Sequence, residues 1–325
     1  MAERKVTDEQ ITRDWKETPS VSALARKYDM ASRVIAVRVK NLRANGVPLK
    51  SRDERSPYWD KSPMWGHWQD LDQHPGTIAL TVTDGVVMVG SDCHYWPNII
   101  STAHRGFVHL AKALQPKVIV KNGDLLDFPK LSRFAPIGWE NRPDVVQEIE
   151  TTQERLKEIQ AAAPNAKRCW PIGNHDARYE TRLATIAPEY AKVNGVHLKD
   201  HFPFWQGCWQ VQINEDVIVK HRFKSGMHAP HNNTMWAGKT IVTGHLHSLK
   251  VMPVSDLRGT RFGVDCGTMA DPYGPQFYNY TELNPLNWRS GFILLTFVKG
   301  ELLWPEHIFV RGPGVVDFRG KLRNV

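Results

Sequence analysis

The sequence predicts an α/β domain preceded by a small all-α domain, and three observations predict it. After Gly76, short β-branched runs alternate with longer segments of helical period, the pattern of an α/β domain. The late runs come in hairpin-like pairs, which favours a mixed sheet, or two stacked sheets, over one parallel sheet. Residues 1–48 instead carry polar, amphipathic helical periodicity.

Composition sets the bounds. At 325 residues the chain fits one large domain plus an appendage. Apolar residues make up 41%, enough for a sizeable core. No apolar run approaches the ~20 residues of a membrane span, and the opening MAERKVTDEQ is too polar for a signal peptide. The expectation is a soluble, cytoplasmic protein with no membrane partner. Cys93, Cys169, Cys208 and Cys266 are far apart and form no CxxC pair, which argues against a zinc ribbon or disulfide framework and for reduced thiols. The formal net charge of +8 favours polyanionic partners, because a positive field concentrates phosphates.

The first helix runs from Thr7 to Glu17 and is stopped by Thr18-Pro19. Ser20 or Ser22 caps a second, Val21 to Tyr28, and Asp29-Met30-Ala31 forms a short turn. A third helix, Ser32 to Ala44, carries Ile35, Val39 and Leu42 on one face and Arg33, Arg38, Lys40 and Arg43 on the other. Asn45-Gly46 and Pro48 end it. A short helix, a tight turn and a basic amphipathic helix describe a helix-turn-helix. The stretch SALARKYDMASRVIAVRVKNLR also resembles that family, with Ala25, Tyr28, Met30 and Ile35 at its core positions. The resemblance implies a DNA partner, with Ser32 to Ala44 entering the major groove. The alternative is a three-helix cap with a solvated basic face.

Residues 49–76 alternate Pro57, Pro63 and Pro75 with Tyr58, Trp59, Trp65 and Trp68 and read as a linker. Its tryptophans are costly to expose, so it is expected to lie along the α/β domain. That domain spans 77–312, and 313–325 reads as a C-terminal tail. TIALTV, a TDG turn and VVMVGS read as a hairpin. A helix from Ile99 to Leu114, the buried strand PKVIVKNGD and a long helix from Asp144 to Ala163 follow. AKRCWPIGN, WQVQI, DVIVKH, TIVTGH, FGVDCG and GFILLTFVKGEL read as further strands.

Chemistry gathers where these strands end. VVMVGS runs into Asp92-Cys93-His94, VIVKNG into Asp124, RCWPIG into Asn174-His175-Asp176, DVIVK into His221, and TIVTG into His245-Leu246-His247. Ligands bind in α/β sheets outside the carboxyl ends of strands. Four imidazoles, two carboxylates and an amide, without thiolate, suit Mn, Fe, Zn or Ni rather than a structural zinc. Seven ligands exceed one ion's needs but suffice for two if a carboxylate bridges. Two ions about 3.5–4 Å apart form the clamp used in phosphoester cleavage.

The series Asp-x-His, Gly-Asp-x-x-Asp, Gly-Asn-His-Asp, a lone His after a strand, and Gly-His-x-His is similar to that of calcineurin-like metallophosphoesterases, with all five blocks in order. Phage-encoded and bacterial phosphoesterases and DNA repair exonucleases are among the proteins it resembles. The resemblance implies two packed mixed β-sheets flanked by helices. It implies two divalent metals, manganese first, with Fe, Zn, Ni or Mg as alternatives. Asp92, His94 and His247 would hold one metal, Asn174, His221 and His245 the other, and Asp124 would bridge them. A metal-bridging hydroxide would attack the phosphoester. His175 would sit over the scissile phosphate and protonate the leaving oxygen or stabilise charge, with Asp176 hydrogen-bonded to its far ring nitrogen.

Other residues have lower rank. Arg178 and Arg182 are placed to hold a non-bridging phosphate oxygen, or to form surface salt bridges. Asp127 orients a ligand or caps a turn, Asn122 reads as a strand residue, and Cys93 as core. His228 and His231 lie in the loop-like FKSGMHAPHNN. Trp236 and the Phe277-Tyr278-Tyr280 cluster are candidates for stacking on bases, or for packing. The resulting expectation is a dimetal phosphoesterase, a nuclease acting on DNA or another nucleic acid. A phosphatase of phosphoprotein, nucleotide or small phosphomonoester is the alternative within enzymes. A DNA-binding regulator with a non-catalytic phosphoesterase scaffold is the alternative from another class.

Overall fold

The computed structural model of the protein describes residues 6–17, 20–49, 74–282, 284 and 286–325. The chain divides into two compact units, Met1–Asp72 and Gln73–Val325. Most of the expected linker, with Trp59, Trp65 and Trp68, lies outside the described residues. Among the described residues no helix is long and apolar enough to cross a membrane.

The first unit contains α1 (Asp8–Glu17), α2 (Val21–Tyr28) and α3 (Ser32–Ala44). Ser20 caps α2, its Oγ accepting from the Ala23 N–H at 3.3 Å, and Asp29 leaves the helix in the left-handed region at φ 51°. The helices meet over Ile11, Trp15, Leu24, Ile35, Val39 and Leu42. Ala25 and Ile35 are buried, with Tyr28 and Met30 packed partly buried against this core. The basic face of α3 is divided. Arg38 pairs with Asp8 and donates to the Val6 carbonyl at 2.8 Å. Arg43 donates to the Leu49 carbonyl at 2.8 Å. Arg33 and Lys40 face solvent.

The second unit is built on two mixed sheets. One has the order β1 (Thr77–Leu80), β6 (Gln210–Ile213), β7 (Val217–Val219), β8 (Thr240–Thr243), β10 (Gly259–Asp265), β9 (Lys250–Asp256). The other runs β15 (Lys321–Asn324), β14 (Val315–Phe318), β13 (Glu306–Gly312), β11 (Gly291–Val298), β2 (Gly85–Gly90), β3 (Val118–Lys121), β4 (Lys167–Pro171), β5 (Gln206–Cys208), with β12 (Glu301–Leu302) on β11.

Strand alternation assigns the layers, because successive side chains point to opposite faces. Val87, Val89, Val118 and Val120 meet Val211, Val219, Val242 and Val264 between the sheets. Met88, Ile119 and Trp170 point the other way, toward Phe107 and Leu110 of α4 (Thr102–Leu114) and Leu156 and Ile159 of α5 (Val145–Ala162). The helix α7 (Ala229–Ala237) covers β8, β9 and β10. A shorter α6 (Ala177–Ile186) follows β4, and α8 (Tyr278–Thr281) precedes β11. The result is two packed mixed sheets flanked by helices, as the resemblance implied.

Three local expectations are corrected. TIALTV and VVMVGS form no hairpin: β1 pairs in parallel with β6 in one sheet, and β2 lies between β3 and β11 in the other. Val87, Met88 and Val89 are buried on both faces of β2, so the strand takes two neighbours in a covered sheet rather than one across a turn. Residues 313–325 are not a tail. They contain β14 and β15, and Val316 and Phe318 alternate inward to the core beneath α4. The segment after His228 is helical. Pro230 sits in the first turn of α7, and small or polar residues (Ala229, Asn233, Thr234) make its buried side, so no apolar stripe announced it.

The β14 assignment has a direct test. Phe318→Ala should lower stability by about 3–5 kcal/mol in thermal or urea unfolding, the usual cost of emptying a buried aromatic site; a tail residue would cost nothing.

Candidate metal centre

The strands that carry the motifs are neighbours. In the larger sheet β2, β3 and β4 are adjacent and parallel; in the smaller, β7 and β8 are adjacent and parallel. Their C-terminal ends deliver all seven candidate ligands to one edge. The donor atoms of Asp92, His94 and His247 lie within 4.8 Å of one another, and those of Asp124, His221 and His245 do likewise. Asn174 joins the second group, its Oδ1 3.3 Å from His221 Nε2. His245 is the exposed member.

The two sheets orient each other's ligands. The Asp92 carboxylate accepts from the backbone N–H of His245 across the seam, at 2.9 Å to Oδ2. In return, the Asn122 carbonyl of the larger sheet takes the His221 Nδ1–H at 2.8 Å. That bond selects the His221 tautomer and leaves Nε2 aimed at Asp124 Oδ2, 3.1 Å away. Five of the seven candidate ligands (Asp92, His94, Asp124, His245 and His247) hold positive φ, between 38° and 71°. Non-glycine residues keep such angles only where the surroundings over-determine them, and they cluster at functional sites. Two motif glycines have a steric reason. A Cβ on Gly173 would overlap Asp124 Oδ1 and its backbone nitrogen, and one on Gly244 would overlap Ser91 Oγ.

The donor set fits divalent cations. His94 donates Nδ1–H to Asp127 Oδ1 at 3.0 Å, and its Nε2 is buried without a hydrogen-bond partner. A buried acceptor so left is costly unless something electrophilic meets it. His247 has Nε2 3.0 Å from Asp92 Oδ1 and its buried Nδ1 also lacks a partner. Burial opposes ionisation of Asp92, but the facing His247 and His221 bring its pKa down to about 2. Burial likewise opposes the charged form of His221, yet Asp124 and Asp92 hold its pKa up at about 10. An edge that draws a proton this strongly draws cations, and its ligands are oxygen and imidazole. Cys93 is buried, 3.9 Å from Met269 Sδ, in the core.

His175 stands beside the ligands, its Nε2 4.0 Å from Asp124 Oδ2. The residue that holds it differs from expectation. Asp127 Oδ1 lies 2.8 Å from His175 Nδ1 and also takes His94 Nδ1. Asp176 makes no bond to His175. Its buried carboxylate is filled by five N–H groups: those of Leu125 and Leu126 at Oδ1, and those of Asp124, Gly173 and the Trp170 indole at Oδ2. Asp176 therefore fixes the β3 and β4 ends relative to each other. Sequence adjacency suggested the wrong carboxylate, because side chains of successive residues diverge at a helix start.

Arg178 reaches the site, with Nη1 2.7 Å from the Asp127 carbonyl and Nη2 3.3 Å from His175 Nε2. Sequence reasoning missed Glu148, whose Oε1 accepts the Asp127 and Phe128 N–H groups from α5. It also missed Trp288, whose ring stands 4.4 Å from that of His247. No motif marks either. Asn122, read as a strand residue, contributes through its carbonyl, which any residue type supplies. His228 and His231 are exposed and join none of the ligand clusters found among the described residues. Phe277 is buried against His94 and His247, while Tyr278, Tyr280 and Trp236 are exposed.

No family model matches the chain. The Gene 54 protein of Mycobacterium phage D29 is 24% identical to it over 220 residues, covering 61% of this chain and 83% of that protein. Among solved structures, Vps29 of Entamoeba histolytica complexed with zinc is similar over 74% of this chain and 98% of its own, at 15% identity and a TM-score of 0.40. A serine/threonine phosphatase of Saccharomyces cerevisiae with similarity to human PP5 is similar over 88% and 98%, at 15% identity and a TM-score of 0.37.

Three substitutions separate the roles assigned by this geometry. Gly173→Ala should displace Asp124 and cut the uptake of added divalent metal, read by elemental analysis of the purified protein, while near-wild-type content would contradict the close approach. Asp176→Asn turns an amide NH2 toward converging N–H donors, so it should cost about 1–3 kcal/mol or more of stability. Asp127→Asn should leave the melting temperature closer to wild type and act mainly on turnover.

Proposed function

We propose that the protein is a dimetal-dependent phosphoesterase acting on phosphodiester bonds of nucleic acid. The observation that carries the hydrolytic reading is the pairing of the two ligand clusters with His175, whose Nε2 faces the Asp124 carboxylate. Asp92, His94 and His247 would hold one cation, Asn174, His221 and His245 the other, and Asp124 both. Manganese is the first ion to supply. When bound, two such ions supply Lewis-acid stabilisation of phosphoryl charge and an activated water.

The chain's own groups supply the rest. Burial opposes a charged ring at His175, but Asp124 and Asp127, which takes the Nδ1–H, raise its pKa and favour the imidazolium, whose Nε2–H can pass to the leaving oxygen. Arg178 is anchored on the Asp127 carbonyl and places its guanidinium beside that same nitrogen, in reach of a non-bridging phosphate oxygen. Glu148, by accepting the Asp127 and Phe128 N–H groups, holds the turn that carries Asp127. The nucleic-acid substrate is supported by the +8 net charge and by the three-helix unit that leaves Arg33 and Lys40 of α3 in solvent.

Purified protein with manganese should hydrolyse bis-p-nitrophenyl phosphate and DNA faster than p-nitrophenyl phosphate. Chelation should stop turnover and added manganese restore it. Asp124→Ala should be inactive, and His175→Ala should lose about 10²–10⁴-fold in kcat while keeping its metal content. Full activity in either variant would refute the assignment. Preference for the monoester would move the substrate to the phosphatase class, and sequence-specific DNA retention without metal-stimulated hydrolysis would favour a regulator.

A further inference from the structure

A cavity of about 540 Å³ opens directly against His221 and His245, within the range of ligand-binding clefts. Its wall is the segment that follows β7. Lys220, Arg222 and Lys224 line it, and no Asp or Glu does. It is therefore a cationic trough continuous with the metal edge. Arg178 already places a guanidinium beside His175 for the reacting phosphate, so these three charges are available to what extends beyond it.

Aromatic rings alternate with the cations. Phe223 lies between Arg222 and Lys224 in sequence and is 44% exposed, with Lys220 Nζ 5.2 Å from its ring centroid. Trp236 of α7 is 70% exposed, and Lys224 Nζ stands 3.8 Å over its ring. Large rings held in solvent are surfaces for stacking, and every base offers a π-face. A duplex keeps those faces inside its own stack and shows only phosphates to such a wall. A phosphopeptide would use the cations but not the rings.

We propose that this trough is the binding track for a single-stranded polynucleotide flanking the scissile phosphate. Arg222, Lys224 and Lys220 pair with successive phosphates, and Phe223 and Trp236 stack on bases. The proposal rests on the phosphoesterase reading and names the strand state of its substrate. It assigns Phe223 and the basic wall, which no motif marked, together with Trp236, a function outside the chemical step.

The test uses the full manganese-loaded chain and a fluorescent phosphorothioate-linked dT12, which is slow to hydrolyse. Anisotropy should show this strand binding more tightly than a blunt duplex of the same length, and a phosphoserine peptide should compete poorly. Arg222→Gln/Lys224→Gln should weaken binding about tenfold and make the slope of log affinity against log salt shallower by about 1.4, roughly 0.7 for each phosphate no longer neutralised. Trp236→Ala should weaken binding about fivefold or more with the salt slope unchanged. All three side chains are exposed, so the fold tolerates their replacement. Wild-type affinity and slope in the double variant would overturn the track. Equal affinity for duplex would overturn the strand preference, and strong competition by the phosphopeptide would move the trough to a protein ligand. Failure of the phosphoesterase reading looks different, because wild-type protein would then show no manganese-dependent hydrolysis of bis-p-nitrophenyl phosphate.

Discussion

The carboxylate of Asp176 is the fixed point on which the edge that gathers the candidate ligands depends. Two adjacent strands, β3 and β4, end at the seam, and each then turns sharply. A turning backbone frees N–H groups that sheet pairing no longer satisfies, and burial makes them costly to leave unpaired. Asp176 accepts four of these backbone groups and the Trp170 indole besides. Burial and the neighbouring Asp124 push its own pKa up to about 6, a penalty that its hydrogen bonds counter. Because one side chain binds both strand ends, Asp124 and the Asn174-His175 pair arrive in a fixed relation to each other. Asp127 then receives two imidazoles, His94 and His175, on a single oxygen, and so couples a candidate ligand to the group proposed to move a proton.

The smaller sheet completes the edge by reciprocal hydrogen bonds. The backbone N–H of His245 orients Asp92, and the backbone carbonyl of Asn122 orients His221. Neither sheet alone presents the Asp92–His94–His247 or the Asp124–His221–His245 cluster. The positive φ angles at five candidate ligands belong to the same arrangement: left-handed residues turn the chain abruptly after β2, β3 and β8, so that side chains point across the seam instead of along the sheet. Such angles cost of order 1–3 kcal/mol each for non-glycine residues, and the packed sheets on either side hold them. The motif glycines Gly173 and Gly244 belong there for a related reason, since the neighbouring strand's carboxylate or hydroxyl fills the space of a Cβ.

Legibility differed between elements. Helices α2 and α3 follow from sequence because local caps and periodicity decide them: Ser20 at the start, Asp29 at the turn, and a narrow apolar stripe. Strand interiors such as VIVK were legible as continuous buried runs. Partnership was not. A hydrophobic run next to a TDG turn looks like half of a hairpin, yet β1 and β2 entered different sheets because each was completed by strands far away in the chain. The C-terminal strands β14 and β15 were missed because each has only 4 residues, too few to set a period, and β15 is a charged edge strand. The helix α7 was missed because it packs through small polar side chains against the smaller sheet.

The same division runs through the site. The sequence by itself determined the inventory: oxygen and imidazole groups, no thiolate, placed after strand ends, where the connectivity of an α/β domain must bring them to one crevice. Their spacing was enough to name all seven positions that the tertiary structure gathers at the seam. Which carboxylate serves His175 was decided only in three dimensions, because Asp127 and Asp176 are the same residue type in sequence and their roles depend on which N–H groups surround each. The basic and aromatic wall along 220–224, joined there by Trp236, likewise became visible only when α7 folded back beside it. Motifs record what must be chemically present; burial, facing charge and hydrogen-bond capacity, which arise between distant segments, decide what each group is free to do.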